Sequence, residues 1–120
     1  KTVLAHKDKI DTMIFDEIDA GVSGRAALKV ASKLKAVSEG KQVLCVTHSA
    51  QICSVADNHY LVAKHSDNER TVTNVKILSY DERINETARI IAGIDITESS
   101  LSAAKEKMKL KAENNKTNKK

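Results

Sequence analysis

Three acidic side chains follow one short apolar segment of the chain. Residues 12–15 are mostly apolar, and Asp16, Glu17 and Asp19 come next, ahead of a turn that contains Gly21. The segment is too short for a helix, so it predicts a strand buried on both faces of a sheet. Ligands of open α/β sheets bind beyond the carboxyl ends of the parallel strands. At such an end, one carboxylate can hold Mg²⁺ and the next can orient or deprotonate a water for phosphoryl transfer.

A histidine follows the next apolar segment. Residues 42–46 predict a second strand, and Thr47, His48 and Ser49 come directly after it. The separation of the two segments suits a strand–helix–strand unit, in which the strands run parallel and end at the same edge. An acidic pair after a strand is most often a solvated turn. The histidine at the equivalent strand end favours a shared site instead.

The composition predicts one modest domain with an aliphatic core. The chain has 120 residues, of which 41% are hydrophobic and 2% are aromatic. The net charge of +4 comes largely from lysines after Leu110, so it gives no sign of a basic nucleic-acid groove. No apolar segment is long enough to span a membrane and no signal peptide is visible, which predicts a cytoplasmic location. Cys45 and Cys53 form no CxxC pair and predict buried, reduced thiols.

Apolar periodicity predicts the elements around these strands. Ser23 is expected to cap a helix that runs to about Ser38, and Ser49 is expected to begin a short helix. The first of these helices should turn its apolar side to the sheet through Ala27, Val30, Leu34 and Val37. Residues 59–64 and 70–78 predict a hairpin. A helix from Tyr80 that ends at Gly93, with Ile84, Ala88 and Ile91 inward, should follow. A last helix should begin at about Thr97, with Leu101, Ala104 and Met108 at helical spacing.

The two motif segments resemble those of ABC-type ATPases. Residues 13–19 resemble the Walker B strand and D-loop, and residues 46–48 resemble the switch-histidine segment. Most transporter ATPases carry Pro-Thr-Ser after the acidic pair, whereas residues 18–24 read Ile-Asp-Ala-Gly-Val-Ser-Gly. That form, together with residues 47–52, resembles the bacterial RecN family of SMC-like ATPases. The resemblance covers roughly residues 1–108. It implies the α/β fold of the C-terminal portion of a P-loop (ABC/SMC-type) ATPase head, with flanking helices and an edge β-hairpin.

The resemblance implies a role for each candidate residue. Asp16 would help hold Mg²⁺ at the terminal phosphates of ATP, Glu17 would be the general base, and His48 would sense the γ-phosphate. The candidates for the surface near a second head's nucleotide are Asp19, Gly21, Ser23 and Gln51. The resemblance also implies a homodimer of heads, DNA as a partner in double-strand-break repair and recombination, no membrane, and association with the nucleoid.

Two motifs of a complete ATPase head are absent from the 120 residues. There is neither a G-x-x-x-x-G-K-[ST] phosphate loop nor a Leu-Ser-Gly-Gly-like signature. In the resembled family both lie upstream, so residues 1–110 are expected to be the C-terminal lobe of a split head. Lys1–His6 would be the end of a helix, and residues 111–120 a disordered tail. Lacking the donors that cradle phosphates, this lobe is expected to be inactive by itself.

Three other interpretations stay open from the residues alone. One is an ATPase subunit of another ABC branch, such as a transporter, which the absence of proline after Glu17 disfavours. Another is a Mg-dependent nuclease or topoisomerase-like domain, in which the three carboxylates bind metal directly. Such sites usually need a further carboxylate at another strand end, and Asp8 and Asp11 are not so placed. The last is a non-enzymatic interaction module, which would make the position of His48 a coincidence.

Overall fold

A computed structural model describes the backbone of residues 10–117 and the side chains of residues 10–109. Its elements are, in order, β1 (Thr12–Asp16), α1 (Gly24–Ser38), β2 (Gln42–Val46), α2 (Ala50–Val55), β3 (Tyr60–Asp67), β4 (Arg70–Ile77), α3 (Tyr80–Ala92) and α4 (Glu98–Thr117). The expected helix end at Lys1–His6 lies outside the described residues. The predicted last helix is α4, which continues to Thr117. Disorder of residues 111–120 stays a prediction.

The strands β1 and β2 pair with each other in parallel, and the crossover helix α1 connects them along the chain. Thr12 lies opposite Gln42 and Asp16 lies opposite Val46, so both strands end at the same edge. This arrangement confirms the predicted strand–helix–strand unit. The other two strands form the predicted antiparallel hairpin. Within residues 10–117 these are two separate two-stranded sheets, and together with the helices they give the predicted α/β fold.

The β1–β2 sheet is covered on one face only. Phe15 packs against a cluster formed by Ala31 and Leu34 of α1 and Ile52 of α2. Ile14 on the opposite face is 72% exposed, and Leu44 and Val46 of β2 are also exposed there. The prediction that the first strand is buried on both faces is therefore wrong for the part of the chain that the structure describes. The reason is that α1 and α2 cover one side of the sheet, and strand side chains alternate between sides.

The last two helices pack on each other around a second core cluster. Ile84 and Ala88 of α3 meet Ala104 and Met108 of α4, with Leu101 beside them. These were among the apolar residues that helical spacing predicts to be inward. Ile91 was also expected to be buried, but it is 40% exposed because it lines the open cavity described below.

A buried arginine of α3 links that helix to the end of α2. Arg83 of α3 is 8% exposed. Its guanidinium donates hydrogen bonds to carbonyl oxygens at the end of α2, at 2.7 Å from Ala56 and 3.3 Å from Cys53 and Asp57. The last carbonyls of a helix have no partner within the helix, so a cation there satisfies both their hydrogen bonding and the helix dipole. Burial lowers the pKa of Arg83 from its ordinary value.

The N-terminal ends of α1 and α3 are capped in different ways. Ser79 and Glu82 form a capping box at α3: the Glu82 N–H donates to Ser79 Oγ, and the Ser79 N–H donates to Glu82 Oε2. Ser23 occupies the predicted N-cap position of α1 in an extended conformation, but its hydroxyl makes no capping hydrogen bond. Across residues 10–117, no helix is both long enough and apolar enough to cross a membrane.

Candidate functional site

Glu17 is the first residue beyond β1, and its backbone is left-handed. Its φ is 48°, and among residues 10–117 no other non-glycine residue has a positive φ. Its N–H still donates to the Val46 carbonyl at 2.9 Å, so pairing with β2 continues one residue past the strand. A residue with a Cβ adopts this region at a cost of about 1–2 kcal/mol. The chain therefore leaves the sheet in a strained turn that presents the carboxylate at the strand end.

His48 lies at the corresponding end of β2. Its Nδ1 is 3.9 Å from Glu17 Oε1, and the two side chains are 82% and 60% exposed. This separation is longer than a hydrogen bond. An exposed ion pair of this kind contributes little to folding. The geometry instead leaves the carboxylate and the imidazole both free to contact a ligand or a water at the edge of the sheet.

Asp19 is held by the loop that follows β2. Thr47 Oγ1 donates to Asp19 Oδ2 at 2.6 Å and accepts from the Ser49 N–H at 2.9 Å. Between Glu17 and α1 the chain makes a tight turn in which Gly21 has a φ of 73°. No atom lies within 4 Å of the position that a Cβ on Gly21 would take. The glycine is therefore favoured here by its backbone conformation, and close packing plays no part.

Gln51, in the first turn of α2, faces the beginning of α1. Ser49 Oγ donates to Gln51 Oε1 at 3.0 Å. Gln51 Nε2 lies 3.7 Å from the position that a Cβ on Gly24 would take. A line of polar contacts thus runs from Asp19 through Thr47 and Ser49 to Gln51, and it connects the loops that follow the two strands.

An open cavity of about 610 Å³ adjoins these loops. The candidate residues that line it are Glu17, Asp19, His48 and Gln51. The remaining candidates, Asp16, Gly21 and Ser23, do not line it. The opposite wall comes from α3 and α4 and consists of Ile90, Ile91, Ala103 and Lys107. Sequence reasoning missed this wall, because helical spacing showed which residues of the last two helices are apolar but gave no sign that Lys107 approaches the strand ends.

Both cysteines are free thiols; Cys53 is buried as predicted, whereas Cys45 is half-buried. Burial first, and then the charges of Asp19 and Asp16, raise the pKa of the Cys45 thiol. Burial raises the pKa of the Cys53 thiol to about 11. These shifts agree with the predicted reduced state, since the thiolate is the reactive form.

The carboxylates near the strand ends do not form a metal cage. Within the part of the chain that the structure describes, no group of three or more His, Cys, Asp or Glu side chains is arranged to hold a metal ion. The Asp19 carboxylate accepts the Thr47 hydroxyl instead. The arrangement does not support direct metal binding by Asp16, Glu17 and Asp19 together, as the nuclease interpretation requires.

The chain matches no family model. It is similar to curated proteins named DNA repair protein RecN: 43% identical over 109 residues to that of Bacillus subtilis, covering 91% of this chain and 19% of that protein. The relative of Halalkalibacterium halodurans is 40% identical over 110 residues, covering 92% of this chain and 20% of that protein. The relative of Treponema pallidum is 45% identical over 106 residues, covering 88% of this chain and 18% of that protein. The chain thus spans about a fifth of the length of these relatives.

One solved structure shares the fold. It comes from work on the structural biochemistry of ATP-driven dimerization and DNA-stimulated activation of SMC ATPases. The TM-score is 0.59 at 20% sequence identity, and the match covers 73% of this chain and 52% of that one. At this identity the likeness supports the fold, and it agrees with the predicted SMC-type ATPase architecture.

Proposed function

This chain belongs to the RecN family of DNA repair proteins, and on that premise we propose that it is part of an ATP-hydrolysing head acting in double-strand-break repair. The observation that carries the proposal is the approach of Glu17 and His48, 3.9 Å apart at the ends of two adjacent parallel strands. Ligands of open α/β sheets bind at that edge. Neither side chain is taken up by a buried structural contact, so both can act on a ligand.

Asp16 and Glu17 are presented differently at the strand end although they are neighbours in sequence. Asp16 ends β1 on the same exposed face as Ile14 and, across the pair, Val46. Glu17, turned off the strand by its left-handed backbone, lines the cavity instead. The single carboxylate of Asp16 fits Mg²⁺ bound to a nucleotide, which takes one or two protein carboxylates together with phosphate oxygens. When bound, Mg²⁺ would neutralise charge on the terminal phosphates.

Glu17 and His48 would act side by side, from the same edge of the sheet, on the attacking water and the reacting phosphate. The Glu17 carboxylate would orient the attacking water and accept its proton. His48 would donate a hydrogen bond to a γ-phosphate oxygen, which an imidazole can do whether neutral or protonated. The Glu17 side chain is 60% exposed, so a water can reach its carboxylate beside His48.

The D-loop residues would contact a second head. Asp19, Gly21 and Ser23 lie in the loop between β1 and α1, and Gln51 lies beside it in α2. We assign these four residues to the surface near the partner's nucleotide. The assignment of DNA and of a homodimer rests on the relatives' name and on the SMC ATPase neighbour.

Hydrolysis would need segments that these 120 residues do not contain. The sequence has no phosphate loop and no signature segment. The donors that bind phosphates in P-loop ATPases come from such loops. The chain by itself is therefore expected to hydrolyse no ATP.

The test compares ATP turnover of the chain alone with that of a full-length RecN-family protein carrying this sequence. We expect turnover only in the full-length protein. Glu17→Gln should lower it by about 100-fold or more, as loss of a general base does, while nucleotide binding persists. Glu69→Gln, an exposed glutamate in the turn between β3 and β4, is the matched control and should change nothing. A fully active Glu17→Gln protein would refute the proposed role of Glu17, and turnover by the chain alone would refute the split head.

A further inference from the structure

We propose that Thr47 is a positioning residue that sets the spacing between Glu17 and His48. The inference deepens the proposed ATPase function and rests on it. Its basis is the Thr47 hydroxyl, which bonds two different loops at once. It donates to Asp19 Oδ2 at 2.6 Å, in the loop after β1, and accepts from the Ser49 N–H at 2.9 Å, in the loop after β2.

The Thr47 hydroxyl is the donor in one of these hydrogen bonds and the acceptor in the other. A threonine hydroxyl has one proton to donate and lone pairs that accept. The donated bond goes to an ionised carboxylate, and such charge-assisted bonds are shorter and stronger than neutral ones. Thr47 and Asp19 are both half-buried, so water competes less for them than for the exposed Glu17 and His48. This bridge from Asp19 through Thr47 to Ser49 is therefore less exposed to water than Glu17 and His48, the groups proposed to act on the nucleotide.

The bridge sits next to each reacting group along the chain. His48 is the residue after Thr47, and Glu17 is two residues before Asp19. The Ala20 N–H donates to the Glu17 carbonyl at 3.1 Å and the Val22 N–H to the Asp19 carbonyl at 3.1 Å, so backbone hydrogen bonds constrain the turn that carries both acidic residues. The Glu17 N–H also donates to the Val46 carbonyl, which belongs to the last residue of β2.

Loss of the hydroxyl should therefore loosen one reacting group relative to the other. Displacements of about 1 Å in a site can lower the rate of the chemical step by up to about 100-fold. Binding of the nucleotide would be affected less, because Thr47 contributes no group to the phosphates. Thr47 thus sets catalytic geometry through Asp19 and Ser49, and the observable is kcat rather than KM.

The experiment uses a full-length RecN-family protein carrying this sequence and measures steady-state ATP hydrolysis. Thr47→Val removes the hydroxyl at nearly constant volume, and Thr47→Ser keeps it. We expect Thr47→Val to lower kcat about tenfold or more, with the KM for ATP within about twofold, and Thr47→Ser to remain within about twofold of the parent in both. Asp19→Ala combined with Thr47→Val should lower kcat no further than Asp19→Ala alone, because partners in one hydrogen bond are not additive.

Three outcomes would overturn the proposal: an unchanged kcat in Thr47→Val, an equal loss in Thr47→Ser, or additive losses in the double variant. An equal loss in Thr47→Ser would assign the effect to the methyl group. Circular dichroism checks folding, and Thr47→Ala replaces Thr47→Val if the latter does not fold. Glu17→Gln separates the two proposals. If Glu17→Gln abolishes turnover while Thr47→Val is fully active, only the positioning role of Thr47 fails. If Glu17→Gln is fully active, the proposed role of Glu17 fails.

Discussion

Replacing Glu17 by glycine and by alanine measures the strain in the turn after β1. The φ of 48° at this residue is in the left-handed region, where a Cβ contacts the backbone and glycine does not. Both substitutions remove the carboxylate, so their difference reports the backbone alone. We expect the glycine variant of the 120-residue chain to be the more stable of the two.

The expected difference follows from two opposing terms. A residue with a Cβ loses about 1–2 kcal/mol in the left-handed region. Glycine loses about 0.5–1 kcal/mol more backbone entropy than alanine on folding. The glycine variant should therefore have the larger free energy of unfolding, by about 0.75 kcal/mol at the middle of these two ranges. Asn85, exposed within α3, is the matched control. There glycine should be less stable than alanine by about 1 kcal/mol.

The assay is urea unfolding of the four variants followed by far-ultraviolet circular dichroism. The sign of the glycine-minus-alanine difference should reverse between positions 17 and 85. If alanine is favoured by the same margin at both positions, the left-handed turn is not strained and this reasoning is refuted. A confirmed reversal means that the site keeps its carboxylate at an energetic cost, as functional sites with unusual backbone geometry do.

Two further substitutions test the elements that support the site. Arg83→Met should lower the free energy of unfolding by about 2–4 kcal/mol, because it leaves buried carbonyls at the end of α2 without donors. Arg89→Met is the control and should cost about 1 kcal/mol, since the half-exposed Arg89 side chain pairs only with Glu86 of the same helix; equal losses in urea unfolding would contradict the role of Arg83. The Glu82 carboxyl accepts hydrogen bonds from Lys76, which has the larger effect, and from Ser79. These bonds lower its pKa from the ordinary value of 4.5 to about 2. The folded pKa is the lower one, so this stabilisation is complete above about pH 4.5 and is lost as pH falls toward 2. In acid titrations followed by circular dichroism, Glu82→Gln should unfold with a weaker pH dependence in that window, and an unchanged dependence would refute the contribution of Glu82.

Much of the site's location was readable from local sequence patterns. Two apolar segments separated by a helix-length stretch predict parallel strands that end together, and the structure places Glu17 and His48 at those ends, 3.9 Å apart. This was predictable because strand direction and the position of a residue after a strand depend on nearby residues alone. The D-loop assignments and the γ-phosphate role of His48 came from the family resemblance, the roles of Asp16 and Glu17 came from the residue types as well, and all of them stay predictions.

Contacts between segments distant in sequence decided the rest. The Thr47–Asp19 bond joins loops from two different strands, and Lys107 reaches the cavity from α4. The sequence shows that Thr47 and Asp19 are polar, but it does not show that the register of two strands brings them within hydrogen-bond distance. Burial of β1 on a single face is decided in the same way, by which helices pack on the sheet. Residue order thus determined where the candidate residues lie, because strand ends follow from local patterns. Only the packing of distant segments decided which side chains hold it in place, because hydrogen bonds form between neighbours in space.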